Sequence, residues 1–350
     1  MKKINPKIFM TLAAIALTLA AAFVLNGVLD SYLKRILNLC AIYTIISLSL
    51  NLVNGFTGMF SLGQAGFMAV GAYSVAIFTV PIELRPSSFY LVPMNPFLAR
   101  IELPLIAALL LGGLFAALFA LVIGFPVLRL RGDYLAIATL GFSEIIRILF
   151  TNMQSITNGA LGIKNVPPLS NMFLIYLAMI LTIILLHLLL TSSYGRAFKA
   201  IREDEIVAEA MGIGLLKHKL LSFVISAFFA GIGGGLYGAL LGTVDPKNFM
   251  FTLTYNFVLI IVLGGLGSIT GTVIASFIIT FGMEWLRFFD SPLRLFGVVI
   301  PFFQPGLRMV VFSILLMVLV LFFQKGIMGQ REFSFDMVRR LFPRKKENAS

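Results

Sequence analysis

The chain has 350 residues, of which 59% are hydrophobic and only 12% charged, and its mean hydropathy is +1.00. A soluble globular domain carries about 25% charged residues, so these values exclude a water-soluble fold and predict lipid as the solvent. The net charge of +12 does not indicate nucleic acid binding, because the Lys and Arg residues lie between apolar runs, where the positive-inside rule puts them.

The cysteine and histidine content limits the chemistry further. The single cysteine, Cys40, lies inside an apolar run, so no disulfide framework or thiolate site is predicted. His187 and His218 are far apart along the chain and separated by a polar segment, which predicts no metal centre.

The first apolar run resembles a signal peptide. Three lysines among the first seven residues precede Ile8–Leu25, and Ala20–Ala22 resembles a cleavage site. The run is longer than the usual hydrophobic region of about 7–15 residues. We therefore predict an uncleaved first span over Ile8–Leu29, with cleavage as the alternative.

Seven further runs are long enough to cross about 30 Å of hydrocarbon. The predicted spans are Ile36–Val53, Leu62–Val80, Leu103–Leu128, Tyr134–Asn152, Met172–Leu190, Leu220–Leu241 and Leu307–Phe323. The stretch Leu253–Phe289 is too long for one ordinary span and is interrupted by a Gly-rich break at Gly264–Gly271.

The number of membrane crossings that the charges allow decides how that stretch is interpreted. Both ends of the chain are basic, so both are predicted in the cytoplasm, and the number of crossings must be even. We predict an all-α bundle of about ten spans with broken helices, in which Leu253–Leu263 is a short span. Eight spans plus a re-entrant hairpin is the alternative. The organisation is then one membrane domain over residues 1–325 and a basic cytoplasmic tail over 326–350.

Asn54–Tyr73 is the first motif with a candidate function. Its repeated glycines interrupt an apolar region, and glycine permits close helix packing or non-helical turns. Non-helical backbone at membrane depth persists only inside protein or beside a watery cavity. Tight packing and a role in the solute path are both open, as they are for the second break. The candidate path residues are Asn54, Gly55, Thr57, Gly58, Ser61, Gln64, Gly264, Gly265 and Gly267.

The second motif places a carboxylate inside a span. Asp133 suits a helix start beside the cytoplasmic anchors Arg129 and Arg131, and Glu144 then lies roughly 16 Å deep at about 1.5 Å per residue. A lone carboxylate there is costly, but Arg147 at i+3 can pair with it. A helix-positioning pair and a gating role both remain open. A proton relay is disfavoured, because no second intramembrane acid is evident.

The third motif, within residues 192–218, is the only long charged segment between spans, and the topology places it in the cytoplasm. Acidic residues open a short helical pattern, Ile206 and Ala210 share one face, as do Val207 and Met211, and Gly212 suits the stop. We predict a helix that docks on a partner; an ordinary solvated loop is the alternative. Its residues are Arg202, Glu203, Asp204, Glu205, Ile206, Glu209, Ala210 and Gly212.

These motifs carry a family resemblance. Glu209-Ala210-Met211-Gly212 resembles the Glu-Ala-x-Gly core of the ATPase-contacting loop of ABC importer permeases. Together with the segments around Asn54, Asp133 and Gly264, in matching order, it is similar to the M-type permease family of branched-chain amino acid importers. Urea-type ABC permeases are close relatives of that family.

The resemblance implies a multi-pass permease of the bacterial inner membrane that imports leucine, isoleucine and valine. Its implied partners are a second related permease, two cytosolic ATPase subunits and an extracytoplasmic solute-binding protein. ATP and Mg²⁺ would bind the ATPases, since no G-x-x-x-x-G-K-[ST] occurs in this chain; no catalytic residue, metal or cofactor is expected here. Import of urea or another amide is the alternative, and an ion-coupled secondary transporter a more distant one.

Overall fold

The computed structural model describes residues 6–169 and 171–286, and, nearer the C-terminus, residues 294–295, 298–299, 310–311, 313–314, 317, 326–329 and 332. The predicted last span and the basic tail therefore lie largely outside the described residues, as do the first two lysines.

The described part is predominantly α-helical, which confirms the predicted fold class. Its one strand pair is antiparallel and short, joining Arg294–Leu295 to Val298–Val299. The helices are α1 Pro6–Val28, α2 Ser31–Asn51, α3 Gln64–Thr79, α4 Arg85–Ser88, α5 Leu105–Val127, α6 Asp133–Asn152, α7 Gln154–Thr157, α8 Met172–Thr191, α9 Ser193–Glu203, α10 Glu205–Ala210, α11 Leu215–Leu241, α12 Phe251–Gly264 and α13 Ile269–Trp285.

Two helices begin five residues earlier than the hydropathy predicts. α2 begins at Ser31 rather than Ile36, and α11 at Leu215 rather than Leu220. In both, the added turn contains Lys or Arg residues, whose aliphatic stems can lie along the apolar surface while their charged ends reach water or, for Lys219, the carboxylate of Glu205. Hydropathy finds the apolar part of a span, whereas the helix continues into its charged border.

Five helical segments of the described part are long and apolar enough to cross a membrane, or six if the bent pair Gln64–Thr79 and Ile82–Ser88 forms one span. The Gly-rich break does separate two helices, α12 and α13. α12 has 14 residues, about 21 Å at 1.5 Å per residue, which is shorter than about 30 Å of hydrocarbon. The total of ten spans, like the re-entrant alternative, stays a prediction.

The connections between helices gather into two separate groups. One group joins the α2–α3, α8–α11 and α12–α13 connections: Arg202 Nη1 donates to Gly55 O at 3.2 Å, and Gly267 N donates to Asn51 Oδ1 at 3.0 Å. In the other, Asn95 N donates to Ser155 O at 2.9 Å, and a β-bridge joins Ile163 to Val244. The predicted topology requires this alternation, and it assigns the first group to the cytoplasm.

Helices α3, α5 and α11 form the tightest part of the bundle, because their backbones meet at glycines. A Cβ atom added at Gly71 would lie 2.0 Å from the carbonyl oxygen of Gly231, and one added at Gly234 would lie 2.0 Å from that of Met68. Small residues permit such close approach between membrane helices. The neighbouring atoms here are backbone, which cannot move aside as a flexible side chain can.

We expect Gly71→Ala and Gly234→Ala each to destabilise the folded protein by about 1–3 kcal/mol, the usual cost of overpacking. Gly141→Ala in α6 is the matched control, since a Cβ there has no neighbour within 4 Å and alanine favours a helix. Thermal unfolding of the purified variants in detergent measures the difference. Equal stability of Gly71→Ala and Gly141→Ala would contradict the packing described.

Candidate functional site

The predicted docking helix consists of two helices rather than one. α9 ends at Glu203 and α10 begins at Glu205, with the extended residue Asp204 between them. The Asp204 Oδ1 atom accepts hydrogen bonds from Ile206 N at 2.8 Å and Val207 N at 3.1 Å, so it caps α10 in the usual way of a helix start. The prediction that Arg202 and Glu203 belong to the docking helix is therefore wrong, because this cap starts a new helix.

The predicted stop at Gly212 is confirmed. Gly212 has φ +84°, a conformation that other residues adopt only with strain. Gly212 N donates to Glu209 O at 2.9 Å, and Ile213 N donates to Ala208 O at 3.0 Å. This pair of bonds is the Schellman motif, which ends a helix while satisfying its last carbonyls.

α10 presents an uncovered apolar face. Ile206 is 73% exposed, Val207 57% and Met211 79%, whereas Ala208 faces inward and is buried. Glu209 and Ala210 are also exposed. Large apolar side chains that cluster on a surface mark interaction sites, so this face is available for contact with another protein.

Glu205 does not belong to that face. Its Oε1 atom lies 2.5 Å from Lys219 Nζ in α11, and its Oε2 atom lies 4.0 Å from Arg131 Nε. Lys219 is buried, and sequence reasoning missed its role. A lysine directly before the predicted start of an apolar span was the available signal. Glu205 is thus an anchor that fixes α10 against α11.

The predicted polar residues of the first Gly-rich motif are buried and hydrogen-bonded within the chain. Asn54 Nδ2 donates to Ser61 O at 3.2 Å, and its Oδ1 accepts from Ser61 N at 3.1 Å. Thr57 Oγ1 donates to Leu52 O at 2.8 Å beside a π-helical turn at Leu52–Phe56, and Gln64 Nε2 donates to Ile46 O at 3.4 Å. These bonds favour the packing interpretation; a role in the solute path stays a prediction.

The two Gly-rich breaks meet each other, which the sequence did not indicate. Asn51, which is fully buried, accepts from Gly267 N at 3.0 Å and donates to Ser268 O at 3.0 Å and to Thr272 Oγ1 at 2.8 Å. A Cβ atom on Gly55 would lie only 2.4 Å from Gly267 N. Asn51 therefore joins the end of α2 to the start of α13.

Two further glycines of the second break, Gly264 and Gly265, allow other close contacts. A Cβ atom on Gly264 would lie 2.6 Å from backbone atoms of Gly271, and one on Gly265 would lie 2.3 Å from Gly329 O. Gly264 O also accepts from Met328 N at 3.2 Å. These two glycines let the chain at residues 326–329 pack on the break.

The predicted intramembrane ion pair is present. Glu144 Oε2 lies 2.7 Å from Arg147 Nε, and both side chains are about three-quarters buried. The other carboxylate oxygen, Oε1, accepts from Phe251 N, the first amide of α12, at 3.3 Å. A carboxylate at a helix N-terminus is stabilised by the helix dipole. The pair therefore positions α12 against α6, while a gating role stays a prediction.

The anchor at Glu205 gives a stability prediction. Lys219→Met should destabilise the protein by about 2 kcal/mol, because the Glu205 carboxylate loses its charged partner. The double variant Glu205→Gln, Lys219→Met should recover part of that loss, since replacing both partners of a half-buried pair costs less than removing one. Thermal unfolding of the two variants tests this; a double variant less stable than the single one would refute the pairing.

Comparison with known proteins identifies the family. Residues 32–321 match the family model described as "Branched-chain amino acid transport system / permease component". The chain is similar to the high-affinity branched-chain amino acid transport system permease protein LivM of Escherichia coli (strain K12), with 34% identity over 82% of this chain and 70% of that protein. It is 35% identical to the Salmonella typhimurium protein of the same name, over 71% of this chain and 62% of that one.

A more distant relative covers more of its own length. The probable branched-chain amino acid transport permease protein LivM of Methanocaldococcus jannaschii is 25% identical over 83% of this chain and 91% of that protein. No solved structure matches. The family model nevertheless accounts for most of the chain, and the chain belongs to the family of permease components of branched-chain amino acid transport systems.

Proposed function

We propose that this chain is a membrane-spanning subunit of an ATP-driven ABC importer that moves branched-chain amino acids across the membrane. The observation that carries the proposal is the 34–35% identity, over most of the chain, with relatives named as high-affinity branched-chain amino acid permeases. The apolar helices of the described part fit a multi-pass membrane protein. The chain is a transport subunit, and ATP hydrolysis takes place on separate subunits.

A second substrate class is supported by weaker similarity. The nucleoside ABC transporter permease protein NupC of Lactococcus lactis is 24% identical over 51% of this chain, and the guanosine permease NupQ of Bacillus subtilis is 25% identical over 52%. Proteins similar to this chain thus include permeases named for chemically different solutes. The higher identity and longer coverage of the branched-chain relatives favour amino acids here.

The chain works as one of a permease pair. Part of it is also similar to the second permease type, LivH: 37% identity to the Salmonella typhimurium protein over 25% of this chain. The proposed importer also contains two cytosolic ATPase subunits and an extracytoplasmic solute-binding protein. In this proposal the chain lies in the inner membrane with both termini in the cytoplasm.

The contact with the ATPase is assigned to α10. Its apolar face, formed by Ile206, Val207 and Met211, is exposed, and Glu209-Ala210-Met211-Gly212 resembles the ATPase-contacting element of ABC importer permeases. The base of α10 is fixed to α11 through Glu205 and Lys219. A partner pressing on the outer face would therefore move α10 together with the bundle.

The Glu144–Arg147 pair is the candidate for a role in the solute path or its gating. An ionisable pair inside a span faces protein or a watery cavity rather than lipid, and its side chains are still partly exposed in this chain. The second permease or the solute path would cover it. By bonding Phe251 N, the carboxylate also controls where α12 begins.

Substrate identity is tested by uptake. Deleting this chain should abolish uptake of radiolabelled leucine, isoleucine and valine at low concentration, and expression from a plasmid should restore it. Urea and guanosine are tested in parallel. Loss of urea or guanosine uptake with unchanged leucine uptake would replace the proposed substrate with that alternative.

The docking assignment is tested by variants on the outer side of α10. Glu209→Arg reverses an exposed charge, Met211→Glu places a charge in the apolar face, and Gly212→Leu strains the helix end. Loss of a residue at the centre of an interface costs about 2 kcal/mol or more, enough to weaken ATPase binding at least tenfold. Each variant should reach the membrane at normal levels but lose ATPase co-purification and transport.

The matched control is Glu83→Arg, the same charge reversal at an exposed acidic residue in the other group of connections. It should leave ATPase co-purification unchanged. Wild-type transport by a well-expressed variant that carries Glu209→Arg and Met211→Glu together would show that α10 is a solvated segment and not a docking helix.

A further inference from the structure

One side chain reaches from the coupling segment into the break after α2. Arg202 is the penultimate residue of α9, two residues before the cap of α10. Its Nη1 atom donates to Gly55 O at 3.2 Å, and its side chain is only 19% exposed. A hydrogen bond from a charged donor to a carbonyl is stronger than a neutral one, so this contact joins α9 to the first Gly-rich motif.

Two glycines form the space that Arg202 occupies. A Cβ atom on Gly58 would lie 2.9 Å from the Arg202 Cα and 2.8 Å from its Cγ, and a Cβ atom on Gly267 would lie 2.8 Å from its Nη1. A side chain at either position would thus collide with Arg202. The two glycines belong to the two different breaks, so the arginine lies where the breaks converge.

The contact continues beyond the arginine. Gly267 N donates to Asn51 Oδ1, and Asn51 Nδ2 donates to Ser268 O and Thr272 Oγ1. A displacement of Arg202 therefore acts on the end of α2 directly and on the start of α13 through Gly267. The guanidinium is oriented by Glu203, whose Oε1 lies 2.5 Å from Nη2 and 3.2 Å from Nε.

We propose that Arg202 is a positioning residue that transmits movement of the α9–α10 segment to both Gly-rich breaks at once. The proposal rests on the docking of α10 described above, and adds the step by which docking reaches the spans. Asp204 is the only residue between α9 and α10, so a push on α10 moves the end of α9. The planar fork of arginine suits this role, because it can hold the Gly55 carbonyl and the Glu203 carboxylate simultaneously.

The test compares Arg202→Ala with Lys199→Ala in the complete importer. Lys199 is an exposed cation on the same helix with no ion pair among the described residues. Arg202→Ala should lower transport at least tenfold while the ATPase subunits still co-purify. Lys199→Ala should transport normally. Arg202→Lys keeps the charge but has one donor group instead of a fork, and should fall between the two.

A second readout separates transmission from a merely structural role. In a Cys40→Ser background, a cysteine replacing the exposed Phe60, between the first break and α3, reports the movement of that segment. Its rate of thiol labelling in the purified importer should change on addition of a non-hydrolysable ATP analogue. With Arg202→Ala the rate should no longer depend on nucleotide.

The outcomes distinguish this proposal from the docking it rests on. Wild-type transport by Arg202→Ala, or an unchanged nucleotide-dependent labelling at position 60, overturns the role of Arg202 and leaves the docking of α10 intact. Loss of ATPase co-purification with Arg202→Ala also overturns it, since Arg202 would then form part of the docking surface. An equal loss of transport with Lys199→Ala would also overturn it, since the positive charge of α9 and not the contacts of Arg202 would then be required. Failure of the docking itself would instead appear as normal transport by the α10 variants.

Discussion

The described fold depends on one constraint: a backbone group that is buried away from water needs a hydrogen-bond partner, so every buried break between two helices needs partners inside the protein. Asn51 supplies them for the second break, bonding Gly267, Ser268 and Thr272. In the first, Leu62 N donates to Thr139 Oγ1 at 3.0 Å and Ala65 N to Thr254 Oγ1 at 3.1 Å. The broken helices are therefore held by side chains from their neighbours, and the bundle is built around those bonds.

Buried cations hold the connections at both ends of the bundle. In one group of connections, Arg85 donates to the carbonyl oxygens of Val80, Leu98 and Ile101 at 2.7–3.0 Å, and its burial lowers the pKa of the guanidinium. In the other group, Lys219 fixes α10 and Arg202 enters the first break. Lys219 joins two helices, while Arg85 and Arg202 bond carbonyls of the segments that connect helices, so the spans are tied to their connections.

The described part of the chain combines a tightly packed region with a segment that leaves one face uncovered. The glycine contacts of α3, α5 and α11 bring backbones against backbones, which leaves little room for rearrangement. The α9–α10 segment packs on the bundle through buried apolar side chains such as Phe198 and Ile201, is tied to it by polar contacts of Arg202 and Glu205, and leaves the outer face of α10 uncovered. In the proposed docking, force on that face would reach the first break through Arg202 and helix α11 through Glu205.

The sequence by itself determined the membrane class, the helical fold, the Glu144–Arg147 pair, the stop at Gly212 and the family, because each rests on composition or on residues close together in the chain. It misplaced the start of the docking helix, since the cap at Asp204 is decided by which amides its carboxylate reaches. Only the tertiary structure joined Asn51 to Gly267 and Arg202 to Gly55. The two partners in each pair are more than 140 residues apart in the sequence. A local sequence pattern does not indicate which distant backbone segment will pack against a given glycine.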